Sequence, residues 1–305
     1  LRLDTGRVNW LCADASGRHV AIVGTGARGV QVVDIATGTA ILELDGPAEV
    51  PFHESAAFGN GGSELAVIVG ADRIRRHAIP SGRVIDEMVV PGAELVRVVY
   101  SLDGRRLGAV GRHSDTVRLF ALDDGTQKDL RFDCHAYPRT EVPRKPSIAA
   151  IALNPDGSRL AIGTWQGLVV VRDLATGEDT RLVGHAGTTW SIVFAPDDPG
   201  LLVTSTGAGG VTFWDLDSHE ACYEPDWLEG PVSQIRISTD GRSLVAFGDR
   251  GPVVVDLEYR DRHVASTLES WLQGAEQNAA APPERIAALR AWARSVLQRP
   301  WPRFR

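Results

Sequence analysis

The clearest fold signal in the chain is the segment LVGHAGTTWSIVFAPDDPGLLVTSTGAGGVTFWDL, Leu182–Leu216. It contains an apolar run at Ser191–Phe194, a Pro/Asp/Gly turn, a second apolar run, a glycine-rich turn and a third run that ends at Trp214-Asp215. Short apolar runs separated by Asp, Gly and Pro turns are typical of antiparallel strands joined by tight turns. The segment therefore predicts an antiparallel meander.

The same order of features recurs along the chain. Turn glycines fall at Gly17, Gly62, Gly104, Gly157 and Gly241, and Asp198–Gly200 occupy the remaining turn position. Each turn leads into apolar strands such as VQVVDIATG or VRLFALDDG and then into an outer strand such as TAILELDG. Six units of four short strands follow from this repeat. Such a unit cannot bury both faces of its sheet alone, and radial stacking into a β-propeller lets each sheet cover the next.

The Leu182–Leu216 segment resembles the WD40 repeat family, with Gly184-His185, the inner strand and Trp214-Asp215 at the family's spacing. The resemblance spans about residues 8–267 and implies an all-β, WD40-like propeller. In the family, His, Ser or Thr, Asp and Trp form a hydrogen-bonded network within a blade. Here His185, Thr204 and Trp214 match, whereas Ala208 stands at the aspartate position. Other units replace the tryptophan with Val33, Phe120 or Arg172, so blade stability is expected to come mainly from apolar packing.

The number of blades stays open at this point. Six units are visible, whereas seven is the usual number in the family. Residues 1–4 are either an outer strand from a missing preceding blade or the strand that closes a six-bladed ring. The segment RHVAST already supplies an outer strand for the last unit, which favours truncation. We therefore expect a propeller domain at 1–267, with an effector domain before it as one alternative.

One loop interrupts the repeat. Gly104 and Gly157 are 53 residues apart because the proline-rich segment CHAYPRTEVPRKPS, Cys134–Ser147, is added between two units. In a WD40-like propeller such connections lie on the same face as the turns between second and third strands, where members of the family hold peptides and partner proteins. The prolines favour extended backbone and lower the entropy lost when the loop is ordered. A loop that merely tolerates sequence drift is the competing interpretation.

This face is the predicted partner-binding surface. Tyr and Arg are enriched at interface hot spots, and an exposed Trp beside cations suits an acidic or aromatic peptide segment. Trp165 stands out because its turn does not require an indole, although it could equally fold back over a blade edge. The predicted partner-binding residues are Tyr137, Arg139, Arg144, Lys145, Trp165, Arg112, Arg28, Trp227 and Arg250.

The sequence predicts no cofactor, no metal and no catalytic residue. GTGARG, Gly24–Gly29, matches G-x-G-x-x-G, but the strand VQVVDI follows it, whereas a dinucleotide site needs a helix there. Cys134-His135 has no second Cys/His pair at zinc spacing. The starts of the inner strands carry one carboxylate, Glu54, which is not a ring of ligands. A propeller hydrolase or lyase with a metal in the central channel is the alternative function.

Composition limits the environment and the partners. The net charge of −7 argues against whole-surface nucleic-acid binding, and no apolar run is long enough to span a bilayer. Three scattered cysteines do not form a disulfide framework, which favours the cytoplasm. Lys128 and Lys145 are the two lysines among 32 basic residues, a bias that is typical of GC-rich bacterial genomes.

The last segment, 268–305, is predicted to be a helical tail. In PERIAALRAWARSVLQ the apolar residues Ile286, Leu289, Trp292 and Val296 share one stripe, and arginines surround it. A basic amphipathic helix docks on its own domain, binds a partner groove or lies on a membrane or nucleic-acid surface. Taken together, the sequence predicts a non-catalytic protein-interaction scaffold or sensor module, with an unpartnered remnant as a weaker alternative.

Overall fold

Twenty-three β-strands and one short 3-10 helix, Asn60–Gly62, make up the regular structure of the described residues. The computed structural model describes residues 7–25, 29–44, 54–134, 147–182, 187–223, 230–248 and 251–257. Within these residues the strands form six antiparallel sheets, and each strand pairs with its neighbour in sequence. This meander is what the repeat predicts.

The first three sheets, blades 1 to 3, contain four strands each. Blade 1 has β1 (Arg7–Ala13), β2 (His19–Thr25), β3 (Val30–Asp34) and β4 (Thr39–Leu44). Blade 2 has β5 (Ala56–Gly59), β6 (Glu64–Ile68), β7 (Arg73–Ala78) and β8 (Val84–Val89). Blade 3 has β9 (Leu95–Tyr100), β10 (Arg106–Gly111), β11 (Thr116–Ala121) and β12 (Gln127–Arg131).

Blades 4 to 6 continue the pattern, and three strands of blade 6 lie within the described residues. Blade 4 has β13 (Ile148–Leu153), β14 (Arg159–Thr164), β15 (Val169–Asp173) and β16 (Asp179–Leu182). Blade 5 has β17 (Thr189–Phe194), β18 (Leu201–Thr206), β19 (Val211–Asp215) and β20 (Glu220–Tyr223). Blade 6 has β21 (Val232–Ile237), β22 (Ser243–Gly248) and β23 (Gly251–Asp256).

Burial falls from the inner strand of a blade to its outer strand. All six residues of β13 are buried, whereas four of the five residues of β12 are exposed. β13 is buried on both faces because its sheet is covered by a blade on either side, and its sequence IAAIAL is therefore a continuous apolar run rather than an alternating one. The inner strands β9 and β21 are less completely buried.

Apolar clusters join neighbouring blades. Phe132 and Val110 of blade 3 pack with Ile148 and Ile162 of blade 4 in one cluster. Similar clusters join blades 1 and 2, 2 and 3, 4 and 5, and 5 and 6. The architecture is thus a six-bladed WD40-like propeller ring, and the predicted fold class is confirmed.

The repeated turn glycines have a common backbone conformation. Gly17, Gly62, Gly104, Gly157 and Gly241 all adopt positive φ, between 69° and 96°. A side chain at such a φ is strained, so glycine is the residue that these turns between first and second strands require. The spacing of these glycines is therefore the spacing of the blades.

The G-x-G-x-x-G match connects two antiparallel strands, in agreement with the predicted hairpin, although its residues 26–28 lie outside the described part of the chain. Gly24 lies in β2, and its N–H donates to the carbonyl oxygen of Gly29 at 3.2 Å. The chain then continues into β3, which pairs antiparallel with β2. No helix N-terminus follows that could receive a pyrophosphate.

The predicted domain boundary at 267 and the helical tail at 268–305 lie outside the described residues and stay predictions. So do residues 1–4, on which the choice between a closing strand and a missing blade depended. The described part of the chain contains no helix with the length and hydropathy that a membrane span requires.

Candidate functional site

One face of the ring carries two kinds of connection, and we call it the loop face. It comprises the turns between second and third strands (69–72, 112–115, 165–168 and 207–210) and the chain that enters each inner strand. Backbone hydrogen bonds join the two kinds of connection. Leu95 N–H donates to Ala71 O at 2.7 Å, and Ile148 N–H donates to Ser114 O at 2.9 Å. Each of these bonds also links one blade to the next.

The proline-rich loop begins and ends at this face. Its two described ends, Cys134 and Ser147, are 3% and 2% exposed, and Cys134 packs in the cluster between blades 3 and 4. The carbonyl oxygen of Ser147 accepts a hydrogen bond from Trp165 N–H at 3.2 Å. The end of the loop is therefore fixed beside the turn that carries Trp165.

Trp165 exposes 38% of its surface. Its backbone is held on both sides, because its carbonyl oxygen accepts a hydrogen bond from the Thr188 hydroxyl of blade 5 at 2.9 Å. A partly exposed indole on a fixed backbone costs little conformational entropy when it is buried by a partner. Of the described residues that were predicted to bind a partner, Trp165 has the geometry that best suits an anchor.

Arg112 also lies on the loop face, in an ion pair. Its Nε lies 3.4 Å from a carboxylate oxygen of Glu94, and the two side chains are 43% and 73% exposed. Exposed pairs of this kind contribute little to stability, so the guanidinium can exchange Glu94 for another carboxylate. Seven predicted binding residues lie outside the described part of the chain: Arg28, Tyr137, Arg139, Arg144, Lys145, Trp227 and Arg250.

Part of the predicted blade network lies inside blade 5. Trp214 and Thr204 are both fully buried, and the indole N–H of Trp214 donates to the Thr204 hydroxyl at 2.8 Å. His185, the third predicted member, lies outside the described residues. The role of the three residues as a network stays a prediction.

A charged cluster that was not predicted from the sequence lies in the centre of the ring. We call it the hub cluster, and its members are Glu54, Arg97, Arg236, Trp10 and Ser191. Glu54 lies just before β5, and its two carboxylate oxygens each accept a hydrogen bond at 2.9 Å, from Arg97 of β9 and from Arg236 of β21. A signal was present, since both arginines lie in segments expected to be inner strands, LVRVVY and VSQIRI, where a charge needs a partner.

Electrostatics keep Glu54 ionised. Burial raises the pKa of Glu54, but the charges and hydrogen bonds of Arg97 and Arg236 outweigh it and leave the pKa below its ordinary value. Burial raises the pKa of the Cys12 thiol to about 12 and that of Cys134 to about 11. These thiols stay protonated at neutral pH and are poor nucleophiles and metal ligands. Among the described residues no group of His, Cys, Asp and Glu is arranged to hold a metal ion.

Several known proteins are similar in sequence to part of this chain. It is 28% identical over 162 residues to the target of rapamycin complex subunit wat1 of Schizosaccharomyces pombe, which is 52% of this chain and 48% of that protein. It is 30% identical over 116 residues to the activating molecule in BECN1-regulated autophagy protein 1A of Danio rerio, 38% of this chain and 9% of that protein. No known protein-family profile matches the chain.

A third relative is the protein SUPPRESSOR OF PHYA-105 1 of Arabidopsis thaliana, 26% identical over 127 residues, which are 40% of this chain and 12% of that protein. The chain thus spans less than half the length of each of these relatives. They are WD40-repeat proteins, and the resemblance read from the sequence is confirmed. All three come from eukaryotes, so the predicted bacterial origin receives no support from them.

Proposed function

Since the chain is a WD40-like β-propeller, we propose that it is a non-catalytic scaffold or sensor module that binds a protein partner through its loop face, in the cytoplasm. The observation that carries this proposal is the placement of Trp165, an exposed indole whose backbone is hydrogen-bonded to both Ser147 and Thr188. A rigid ring displays that anchor beside the start and end of the proline-rich loop. The partner segment that we propose is extended and carries acidic or aromatic side chains.

The names of the relatives support a role in assembly. One is named as a subunit of a complex, and another as an activating molecule in BECN1-regulated autophagy. The geometry of the hub cluster disfavours the alternative of a metal-dependent hydrolase. Its carboxylate, Glu54, is held by two guanidinium groups, and such a positive surrounding repels a metal cation.

A photo-crosslinking amino acid placed at position 165 tests the proposal. The matched control position is Leu102, which is 45% exposed in the β9–β10 turn on the opposite face. In extract of the native host we expect a discrete protein adduct from position 165 and none from position 102. The adduct at position 165 is expected to disappear when Tyr137 and Arg139 are replaced by Ala.

Equal adducts from positions 165 and 102 would show that partners do not bind the loop face in preference to the opposite face, which would contradict the proposal. An adduct from position 165 that persists after the Tyr137→Ala and Arg139→Ala substitutions would remove the proline-rich loop from the binding site while keeping the loop face.

A further inference from the structure

Two members of the hub cluster, Glu54 and Arg97, lie at the loop-face ends of their strands. Ile68, the last residue of β6, donates its N–H to Ser55 O at 2.9 Å, which places Glu54 at that end of its blade. Arg97 lies opposite Val110, the second-to-last residue of β10. Arg97 is therefore at the same end of its blade as Glu54. Arg236 lies deeper, opposite Val245 of β22, and its side chain extends to Glu54. The ion pairs of Glu54 are therefore within reach of a segment that lies on the loop face.

Arg236 crosses the centre of the ring. Its guanidinium reaches from blade 6 to Glu54 of blade 2, and on the way it lies over the indole of Trp10 in blade 1, 5.2 Å from the ring centroid. Its Nη1 donates to Ile235 O at 2.7 Å and lies 3.4 Å from the Ser191 hydroxyl of blade 5. The guanidinium is thus fixed in orientation by four blades.

The charges in this cluster do not balance. Two guanidinium groups face one carboxylate, which leaves one positive charge. Each guanidinium carries five N–H donors. Arg97 directs one of them to Glu54, and Arg236 directs its donors to Glu54, Ile235 and Ser191. Within the described residues, donors on both side chains are left without a protein acceptor.

These unused donors are accessible to solvent. The Arg236 side chain is 38% exposed and the Arg97 side chain 11% exposed. In the described part of the chain, every guanidinium nitrogen of these two arginines either has a hydrogen-bond partner or is exposed to solvent. A fixed pair of guanidinium groups with free donors and a net positive charge suits a carboxylate, which accepts two parallel hydrogen bonds.

We propose that Arg97 and Arg236 form a carboxylate-binding site at the loop-face mouth of the channel, which receives an Asp or Glu side chain of the partner segment. This inference rests on the proposed function and adds the chemistry of the partner. The surplus of a single charge on two side chains that already hold one carboxylate suits one acidic side chain. It does not suit a run of phosphates, which needs a wider basic surface than this acidic protein offers.

The experiment measures binding of an acetylated and amidated Asp-Glu-Asp-Glu peptide to the purified chain by calorimetry. Sodium acetate, inorganic phosphate and a tetralysine peptide are titrated at the same ionic strength. We expect the acidic peptide to bind, acetate to compete with it weakly, and tetralysine not to bind. Added salt is expected to weaken binding because the interaction is between charges.

Two substitutions in the cluster have opposite expected effects. Arg236→Gln is expected to weaken peptide binding about tenfold, since it removes a charge-assisted contact. Glu54→Gln is expected to strengthen it severalfold, because it removes the carboxylate that competes for both arginines. Weaker binding in both variants, each confirmed as folded by circular dichroism at the assay temperature, would show that the cluster only supports the fold and would also overturn the site. Arg105→Gln, at an exposed arginine on the opposite face, is the charge-matched control and is expected to leave binding unchanged.

Three further results would overturn the carboxylate site. They are failure of the acidic peptide to bind the native chain at millimolar concentration, equal losses in Arg236→Gln and Arg105→Gln, and tighter binding of phosphate than of the peptide. The first result does not depend on how well any variant folds. The crosslink at position 165 uses no acidic peptide, so a partner adduct there without peptide binding would keep the proposed function and reject this inference alone.

Discussion

At the scale of single residues, one strand position shows how far the blades have diverged. Trp214, Arg172, Phe120 and Val33 each occupy the same register, opposite the second residue of the preceding strand. Trp214 fills this position with a buried indole whose N–H is satisfied by Thr204. Val33 and Phe120 fill it with apolar volume alone and are 2% and 5% exposed. The buried indole hydrogen bond of blade 5 is therefore not repeated at this position in blades 1, 3 and 4.

The burial of Trp214 predicts how Trp214→Phe changes the free energy of unfolding. The substitution removes the bond to Thr204 and leaves a cavity between blades 4 and 5, so we expect a loss of about 2 kcal/mol in the free energy of unfolding. The same change at the exposed Trp165 is expected to stay within about 0.5 kcal/mol. Urea unfolding followed by circular dichroism measures both. Equal losses would mean that the buried indole contributes no more than a surface one.

At the scale of elements, third and fourth strands are joined by cross-strand ion pairs. Arg118 of β11 pairs with Asp129 of β12, and Arg172 of β15 pairs with Asp179 of β16. Arg172 makes two further contacts that Arg118 lacks. It lies over the Phe132 ring at 4.0 Å from the centroid, and its Nη1 donates to Arg131 O of blade 3 at 3.0 Å. It therefore holds an outer strand pair of blade 4 against blade 3.

Arg172→Met is accordingly expected to destabilise the protein by about 1 kcal/mol more than Arg118→Met. The two arginines are a matched pair, since their side chains are 14% and 20% exposed and both bind an aspartate on the next strand. Urea unfolding of both variants gives the difference. If the two losses are the same, the contacts to blade 3 contribute nothing measurable, and only the pairing within each blade counts.

At the scale of the whole molecule, the junction of blades 6 and 1 differs from the others. Five neighbouring pairs of blades share an apolar cluster, but no cluster of described residues joins blades 6 and 1. The described contact at this junction is polar, where Arg236 lies over Trp10 and continues to Glu54. We infer that the ion pairs of Glu54 contribute to closing the ring.

Glu54 gives this junction a pH dependence. Its pKa is lowered in the folded protein, so its contribution to stability is present above its ordinary value of 4.5 and is lost as the pH falls below it. Glu54→Gln is expected to cost about 2 kcal/mol at neutral pH, because it leaves the largely buried Arg97 without its ion-pair partner, whereas Arg236 is 38% exposed and stays solvated. Between pH 7 and pH 3 the free energy of unfolding of the variant is also expected to fall less than that of the native chain, since the variant lacks the titrating carboxylate.

Urea unfolding between pH 7 and pH 3 measures this dependence, and hydrogen exchange at β1 and β21 locates it. The control is Glu94→Gln, in an exposed pair with Arg112, which is expected to change stability by less than about 0.5 kcal/mol. Faster exchange spread evenly over all six blades, instead of concentrated at β1 and β21, would contradict a role in closing the ring.

The sequence by itself determined the blades. Turns that need glycine at positive φ recur at a nearly regular spacing that the proline-rich loop lengthens once. The apolar runs between them are long enough for one strand each, so the meander and its stacking follow from local rules. It also determined that Gly24–Gly29 is a hairpin, because a strand pattern follows it. Trp165 was identified for the same local reason, as a large aromatic residue in a turn that does not require one.

Only the tertiary structure showed the hub cluster. Glu54 and Arg236 are 182 residues apart in sequence, and each belongs to a strand whose local pattern says nothing about the other. Closing a ring brings the inner strands of all blades to one axis, so side chains from remote repeats meet there. Strand patterns record which face of a strand is buried, whereas pairing across the axis depends on the number of blades and on their rotation about it.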